Sequence, residues 1–194
     1  YALFPKALKD LGYDVIGISL HLWCEDGEDI AAPSPRCCSL RDIEDARRVC
    51  HLLDIPHYFL NFKDEFESLV VDHFTSEYAR GRTPNPCLLC NRDIKFRLLL
   101  DRALALGMDY LATGHYARIE HGSGEYRLLK AIDPAKDQSY FLYTLGQREL
   151  SRLLFPVGHY VKTKVREMAR RRGLPVASKR DSQEVCFLPG GDYR

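Results

Sequence analysis

Apolar residues along the chain follow two spacings, one typical of helices and one typical of buried strands. Helical spacing recurs in residues 2–12, 39–53, about 64–78 and 90–107. Continuous apolar runs mark three strands, DVIGISLHLW, HYFLNF and DYLATGHY. Runs that are apolar on both faces are typical of parallel strands covered by helices on both sides. The alternation predicts an α/β protein with a doubly wound, mostly parallel sheet.

The remaining patterns complete this architecture and locate its ligand-binding edge. ARIEHGSGEYRLLKAID predicts a hairpin with Gly122 and Gly124 in its turn, and residues 162–172 predict a basic helix. In parallel α/β sheets, ligands bind beyond the carboxyl ends of the strands. The segments there are residues 20–23, the loop before the helix that we expect to begin at Cys90, and residues 113–116.

Charge and hydropathy exclude several classes of protein. The 28 Lys and Arg residues nearly balance the 27 Asp and Glu residues, so nucleic acid would have to bind a local basic patch. No apolar run approaches the roughly 18 residues of a membrane span, and the N-terminus lacks the pattern of an export signal. We therefore expect a cytoplasmic protein with no membrane partner.

Cysteine usage supplies the first candidate chemistry. Seven cysteines without an export signal argue against a secreted disulfide framework. Cys87 and Cys90 form a C-x-x-C within TPNPCLLCN, and a position near a helix N-terminus favours the thiolate. Such a pair could exchange sulfur, bind a metal or simply pack among leucines. One metal hypothesis is a zinc module on Cys37, Cys38, Cys87 and Cys90.

Five stretches carry a resemblance to a known family. GRTPNPCLLCNRDIKF, LATGHYARI, KDQSYFLYTL, FPVGHY and DSQEVCF closely resemble, in order and spacing, the tRNA-specific 2-thiouridylases. The likeness runs from about residue 12 to the end, and it implies an adenine-nucleotide α-hydrolase-like fold, of Rossmann-like type, with a pyrophosphate-binding SGGxDS loop after the first strand.

The sequence lacks that pyrophosphate-binding loop. The domain that the resemblance implies would therefore be incomplete at its N-terminal side. We expect residues 1–186 to be a catalytic ATPase-like domain without its first strand. Residues 187–194 would begin the connection to a central domain. We expect this fragment alone to be inactive.

The resemblance assigns the reacting groups to cysteines. Cys90 matches the catalytic nucleophile of the family, and Cys186 matches the cysteine that receives sulfur as a persulfide. Asn85, Pro86 and Cys87 match the segment that contacts the target base. Cys87 departs from a well-studied branch, which has aspartate at this position, proposed there as an acid or base.

The resemblance also implies binding positions for tRNA and ATP. Three consecutive residues match a tRNA-contacting turn: Lys136, Asp137 and Gln138. Leu20 and Gly114 match ATP-binding positions, and many relatives have methionine in place of Leu20.

The implied reaction is 2-thiolation of the wobble uridine of tRNA. The family uses ATP with Mg²⁺ to adenylate the uracil C2 oxygen and takes sulfur from a persulfide donor, a cysteine desulfurase or a relay protein. An alternative chemistry binds a 4Fe–4S cluster on Cys87, Cys90 and Cys186, with the fourth iron open for sulfide. A further alternative is an ATP pyrophosphatase that acts on a small molecule and needs neither Cys90 nor Cys186.

Overall fold

The first part of the chain pairs two parallel strands. The structure is a computed structural model that describes residues 3–23, 40–174 and 185–187. Its elements here are α1 (Leu3–Asp10), β1 (Gly17–His21), α2 (Leu40–Leu52) and β2 (His57–Asn61). β1 and β2 pair in parallel, from Gly17 opposite His57 to His21 opposite Asn61. A parallel pair separated in the chain by a helix confirms the predicted α/β class.

Two long helical stretches follow, and each contains a π-helical segment. The first consists of α3 (Lys63–Phe66), a π segment (Glu67–Val71) and α4 (Asp72–Ala79). The second consists of α5 (Pro86–Leu89), a π segment (Cys90–Leu99) and α6 (Leu100–Ala105). A π turn brings residues five apart onto one face, and Ile94 and Leu99 are accordingly both buried. Π-helical segments frequently occur at functional sites.

The second part of the chain contains a parallel pair that the hydrophobic pattern only half predicted. Strand β3 (Leu111–Ala112) pairs in parallel with β6 (Leu153–Leu154), which was not predicted as a strand. The predicted third strand DYLATGHY is therefore much shorter than expected. The remaining elements are a 3-10 turn (Ser139–Phe141), α7 (Gln147–Leu150) and α8 (Lys162–Arg171).

The predicted hairpin is confirmed, with a small shift of its turn. Strand β4 (Ala117–Gly122) pairs antiparallel with β5 (Glu125–Lys130), and Gly122 lies opposite Glu125 as the last paired residue. The turn is Ser123 and Gly124, with φ of 53° and 82°. Two successive positive φ angles are the conformation that matches the twist of a two-residue hairpin, and glycine adopts it without strain.

The main core lies between the two long helical stretches and the strands. Its most deeply buried members come from both stretches and from the chain after the hairpin: Phe66, Val70, Ile94, Leu100 and Leu142. Cys90 and Cys186 are partly buried and pack against this same cluster. No helix in the part of the chain that the structure describes is long and apolar enough to cross a membrane.

Candidate active site

The Asn85-Pro86 pair starts the helix that carries the C-x-x-C cysteines. Asn85 is extended, with φ of −102°, and its Oδ1 accepts a hydrogen bond from the backbone N–H of Cys87 at 3.0 Å. Pro86 occupies the first helical position, where a missing N–H costs nothing. The helix therefore begins at Pro86, and the predicted start at Cys90 was wrong by four residues. Both cysteines lie in its first two turns, near the positive end of the helix dipole.

Phe187 anchors the segment that carries Cys186. Its side chain is 6% exposed, and its ring makes edge contacts with Trp23, Phe66 and Phe74, at centroid distances of 6.3, 5.9 and 5.3 Å. These rings belong to the core against which Cys90 also packs. The two predicted catalytic cysteines, distant in sequence, therefore border one core.

The cysteines of the site do not form the alternative iron site. Cys87, Cys90 and Cys186 are present as thiols rather than in disulfides. Among residues 3–23, 40–174 and 185–187, no three His, Cys, Asp or Glu side chains group closely enough to hold a metal ion. The arrangement does not fit a 4Fe–4S cluster, which needs three thiolates converging on one centre. Cys37 and Cys38 of the zinc hypothesis lie outside the described residues.

The predicted tRNA-contacting turn is held by its own side chains. Asp137 Oδ1 accepts from the backbone N–H of Ala131 at 2.8 Å, and its Oδ2 accepts from the Ser139 hydroxyl at 2.8 Å. Gln138 Oε1 accepts from the backbone N–H of Tyr116 at 2.9 Å, and the Gln138 N–H donates to the Tyr116 carbonyl at 2.8 Å. Sequence reasoning assigned Asp137 and Gln138 to tRNA and missed this internal role. These two bonds fix the turn beside Tyr116, and Gly114 lies two residues before Tyr116 in the sequence.

The charge of Asp137 is maintained by these bonds. Partial burial acts to raise the pKa of this carboxyl, but the hydrogen bonds from Ala131 and Ser139 and the charge of Lys130 outweigh it. The pKa of Asp137 is therefore lower than usual, and the turn keeps a carboxylate at neutral pH. Lys136 precedes it, with its backbone N–H donating to the Asp133 carbonyl at 3.1 Å.

The residues matched to ATP lie at the carboxyl ends of parallel strands. Leu20 pairs with Leu60 near the end of β1, and Gly114 is buried two residues after β3 ends. The indole N–H of Trp23, also beyond β1, is buried and finds no acceptor among the described residues. A buried donor without a partner at this edge fits a crevice that binds a hydrogen-bonding ligand such as a purine. The Trp23 donor fits a hydrogen-bonding ligand of this kind, and we assign none of the described residues to Mg²⁺.

The sequence placed His115 at the binding edge within residues 113–116, but it did not reveal that the ring is buried. Its ring lies between Phe96 and Phe155, at centroid distances of 5.5 and 6.0 Å, and its Nδ1 is 2.8 Å from Thr113 Oγ1. Burial, together with the charge of Lys95, lowers the pKa of His115 to about 3. The imidazole is therefore neutral at physiological pH. The available signal was a histidine three residues after the end of a strand, β3.

We expect His115 to weaken the fold as the pH falls. Its folded pKa of about 3 lies below the ordinary value of 6.5, so between these pH values only the unfolded chain gains the proton. Stability should be unaffected above pH 6.5 and fall progressively below it, by about 2 kcal/mol at pH 5. His115→Gln removes this titration. Urea unfolding at pH 7 and pH 5 should show that the variant loses about 2 kcal/mol less than the wild type.

The exposed His51 provides the matched control for that experiment. His51→Gln should reproduce the pH dependence of the wild type, because it leaves the buried ring of His115 in place. Equal losses of stability in the wild type and His115→Gln would contradict the assignment of a buried neutral imidazole.

Fold and site together define the class of this protein. Parallel strand pairs and thiols in the first turns of a neighbouring helix define an α/β protein with cysteines placed beside its core. The chain belongs to the family described as the tRNA methyl transferase HUP domain, which matches residues 2–190. The predicted fold class and the predicted family are both confirmed.

Curated relatives agree with this assignment. Proteins named tRNA-specific 2-thiouridylase MnmA are 52% identical to the chain in Roseiflexus castenholzii, 54% in Moorella thermoacetica and 53% in Chloroflexus aurantiacus. The alignments cover 100%, 96% and 100% of this chain, and 56%, 53% and 54% of those relatives. The chain thus spans about half the length of the curated relatives it matches.

Proposed function

We propose that the complete protein is a tRNA sulfurtransferase that thiolates C2 of the wobble uridine at the expense of ATP. The observation that carries this proposal is the placement of Cys90 and Cys186 against one core, although the sequence separates them widely. The relatives named 2-thiouridylases support sulfur transfer. The family name mentions methyl transfer, but a pair of thiols on one core fits exchange of sulfur better.

The chemistry requires that a poor leaving group be activated. ATP, when bound, supplies the adenylyl group that converts the uracil C2 oxygen into a leaving group. In our proposal Leu20 and Gly114 line the adenosine crevice, and the neutral ring of His115 closes the edge beside it. Binding at the carboxyl ends of β1 and β3 would place the nucleotide near the cysteine-bearing helix.

The thiols would then perform the transfer in two displacements. The terminal sulfur of a persulfide on Cys186 attacks C2, and AMP leaves with the former C2 oxygen. The Cys90 thiolate next attacks the Cys186 sulfur, which breaks the bond to the delivered sulfur and leaves thiouridine with a Cys90–Cys186 disulfide. A thiol reductant restores both cysteines, and a persulfide donor protein reloads Cys186.

The helix N-terminus would receive the target base. The uridine must leave its stack to reach the thiols, as is common for enzymes that modify bases. Asn85 and Pro86 fix the backbone at this point, and Cys87 is held through its N–H. We propose that this short segment forms one wall of the base pocket.

A reconstituted reaction tests the proposed function. The complete protein, ATP, Mg²⁺, a persulfide donor and unmodified tRNA should yield 2-thiouridine at the wobble position, detected by mass spectrometry of digested tRNA. Omitting ATP or the donor should abolish the product. Pyrophosphate release from ATP without tRNA, and without any thiolated nucleoside, would instead favour a small-molecule ATP pyrophosphatase.

Cys87→Asp should remain active at close to the wild-type rate. The hydrogen bond to Asn85 uses the backbone N–H of residue 87, so it survives the substitution, and a carboxylate is stabilised in the first turn of a helix. The same assay, run in iron-free buffer, measures the rate. The matched control is Cys90→Asp, which removes the resolving thiol and should be inactive. Loss of activity in Cys87→Asp would show that the Cys87 thiol itself takes part.

A further inference from the structure

Two tyrosines stand exposed on a short, well-fixed segment beside the candidate site. The side chains of Tyr140 and Tyr143 are 58% and 70% exposed, whereas Leu142 between them is 0% exposed. Leu142 therefore anchors the segment in the core while both phenol rings face solvent. Large exposed aromatic rings close together in one short segment are a feature of ligand-binding surfaces.

Hydrogen bonds hold the segment rigidly. Asp137 accepts from the Ser139 hydroxyl, and Phe141 and Leu142 donate backbone N–H groups to Gln138 and Ser139 at 3.0 and 2.9 Å. The rings of Tyr140 and Phe141 lie 3.9 Å apart between centroids, inclined at 35°. The Phe141 ring packs against the Tyr140 ring and restricts its motion. Tyr140 therefore loses less conformational entropy when a ligand binds.

The segment adjoins the helix N-terminus that carries Cys87. Partial burial raises the pKa of Tyr140, and the neighbouring charges of Cys87 and Asp137 raise it further. Phe141, beside Tyr140, and Leu89, in the same helix as Cys87, pack against one core. The aromatic segment therefore borders the proposed base pocket.

An oriented cation completes the surface. Arg92 donates through Nε and NH2 to Asp93 Oδ2, at 3.1 and 2.7 Å, and the Asp93 side chain is 9% exposed. The Arg97 guanidinium lies 3.6 Å from the other Asp93 oxygen, so one carboxylate orients two arginines. Hydrogen bonding to Asp93 and the charge of that carboxylate raise the pKa of Arg92, so its guanidinium stays charged. Arg92 lies two residues after Cys90 in the same helical stretch, so this cation adjoins the site.

We propose that Tyr140, Tyr143 and Arg92 form a binding surface for single-stranded RNA next to the base pocket. The exposed rings stack on unpaired bases that flank the target uridine, and the Arg92 guanidinium contacts a phosphate between them. Unpaired bases recognised by proteins commonly stack on aromatic side chains, and a nearby guanidinium supplies the charge. The inference rests on the proposed function, because it takes an RNA loop as the substrate.

A direct binding experiment tests this surface. The complete protein is titrated into a fluorescent single-stranded RNA with the anticodon-loop sequence, and into a fully paired RNA of equal length. Tyr143→Ala and Tyr140→Ala should each bind the single strand about tenfold more weakly, since one stacked base is lost. Tyr143→Phe should bind like the wild type because it keeps the ring. Tyr110→Ala is the matched control, since Tyr110 is 45% exposed and precedes β3 at the opposite end of that strand.

Arg92 has its own test. Arg92→Gln should reduce the slope of log affinity against log salt by about one, which is the signature of one lost phosphate contact. Circular dichroism checks that this variant remains folded. An unchanged salt slope in a folded variant overturns the phosphate contact.

The remaining outcomes separate this surface from the proposed function. Unchanged single-strand affinity in both tyrosine variants, with thiolation by the wild type intact, overturns the surface alone. Variants that bind RNA normally but lose only the sulfur supplied by a donor protein, while still using inorganic sulfide, also overturn it and assign the surface to the donor. A wild-type protein that neither binds the RNA nor thiolates tRNA overturns both proposals.

Discussion

Cys90→Ser and Cys186→Ser are each expected to abolish formation of 2-thiouridine by the complete protein. A serine hydroxyl cannot carry a persulfide, and at neutral pH it is not a nucleophile that could resolve one. Each substitution should lower the rate at least about a thousandfold, as when a covalent catalytic group is removed. Thiouridine per tRNA, measured by mass spectrometry, gives the rate. Affinity for tRNA should change little, because phosphate contacts dominate the affinity of proteins for nucleic acid.

The two cysteine variants should also differ from each other in a diagnostic way. Cys90→Ser retains the carrier thiol, so after incubation with the donor it should accumulate a sulfur adduct on Cys186, visible in the intact mass. Cys186→Ser should accumulate none. The control is Cys50→Ala, because Cys50 is buried on α2 away from the thiols of the site, and this variant should still thiolate tRNA. Full activity of either serine variant would remove the persulfide route.

Gly158→Ala should strongly destabilise this fold. A Cβ at this buried position would lie 1.7 Å from the carbonyl oxygen of Ala117 and 2.5 Å from its carbonyl carbon. Both are backbone atoms at the start of β4, and the Gly158 carbonyl accepts a hydrogen bond from the N–H of Ile132 at 3.0 Å. Backbone cannot give way as a side chain can, so the free energy of unfolding should fall by about 3 kcal/mol or more. Urea unfolding measures this loss as a lower midpoint at unchanged slope.

Gly122→Ala provides the matched control for this close approach. A Cβ there would meet no atom within 4 Å, and Gly122 is the last residue of β4. Its unfolding free energy should stay within about 0.5 kcal/mol of the wild type. Equal midpoints for the two alanine variants would show that β4 can move away from residue 158 at little cost.

Local sequence determined much of the architecture, wherever neighbouring residues supply the physical cause. Apolar runs predicted β1 and β2 because parallel strands are typically apolar along their whole length. The expected cover on both faces is not seen for β2, where Tyr58 and Phe59 are 56% and 50% exposed. The glycine-rich turn predicted the hairpin because positive φ at Ser123 and Gly124 requires such residues. The Asn85-Pro86 pair also carried a readable helix start, which the hydrophobic spacing alone placed four residues too late. The sequence blocks shared with a known family likewise identified the family correctly.

Tertiary structure decided the features that depend on partners far away in the chain. Leu153 and Leu154 form a strand only because β3 lies beside them, so two residues of local sequence could not predict it. Asp137 and Gln138 look like solvent-exposed polar residues until Ala131 and Tyr116 supply the backbone groups that bind them. Cys186 lies against the same core as Cys90 because Phe187 packs among rings from two other segments, the end of β1 and the first helical stretch. Such contacts join residues whose separation in sequence carries no local signal, and only the folded chain brings their atoms together.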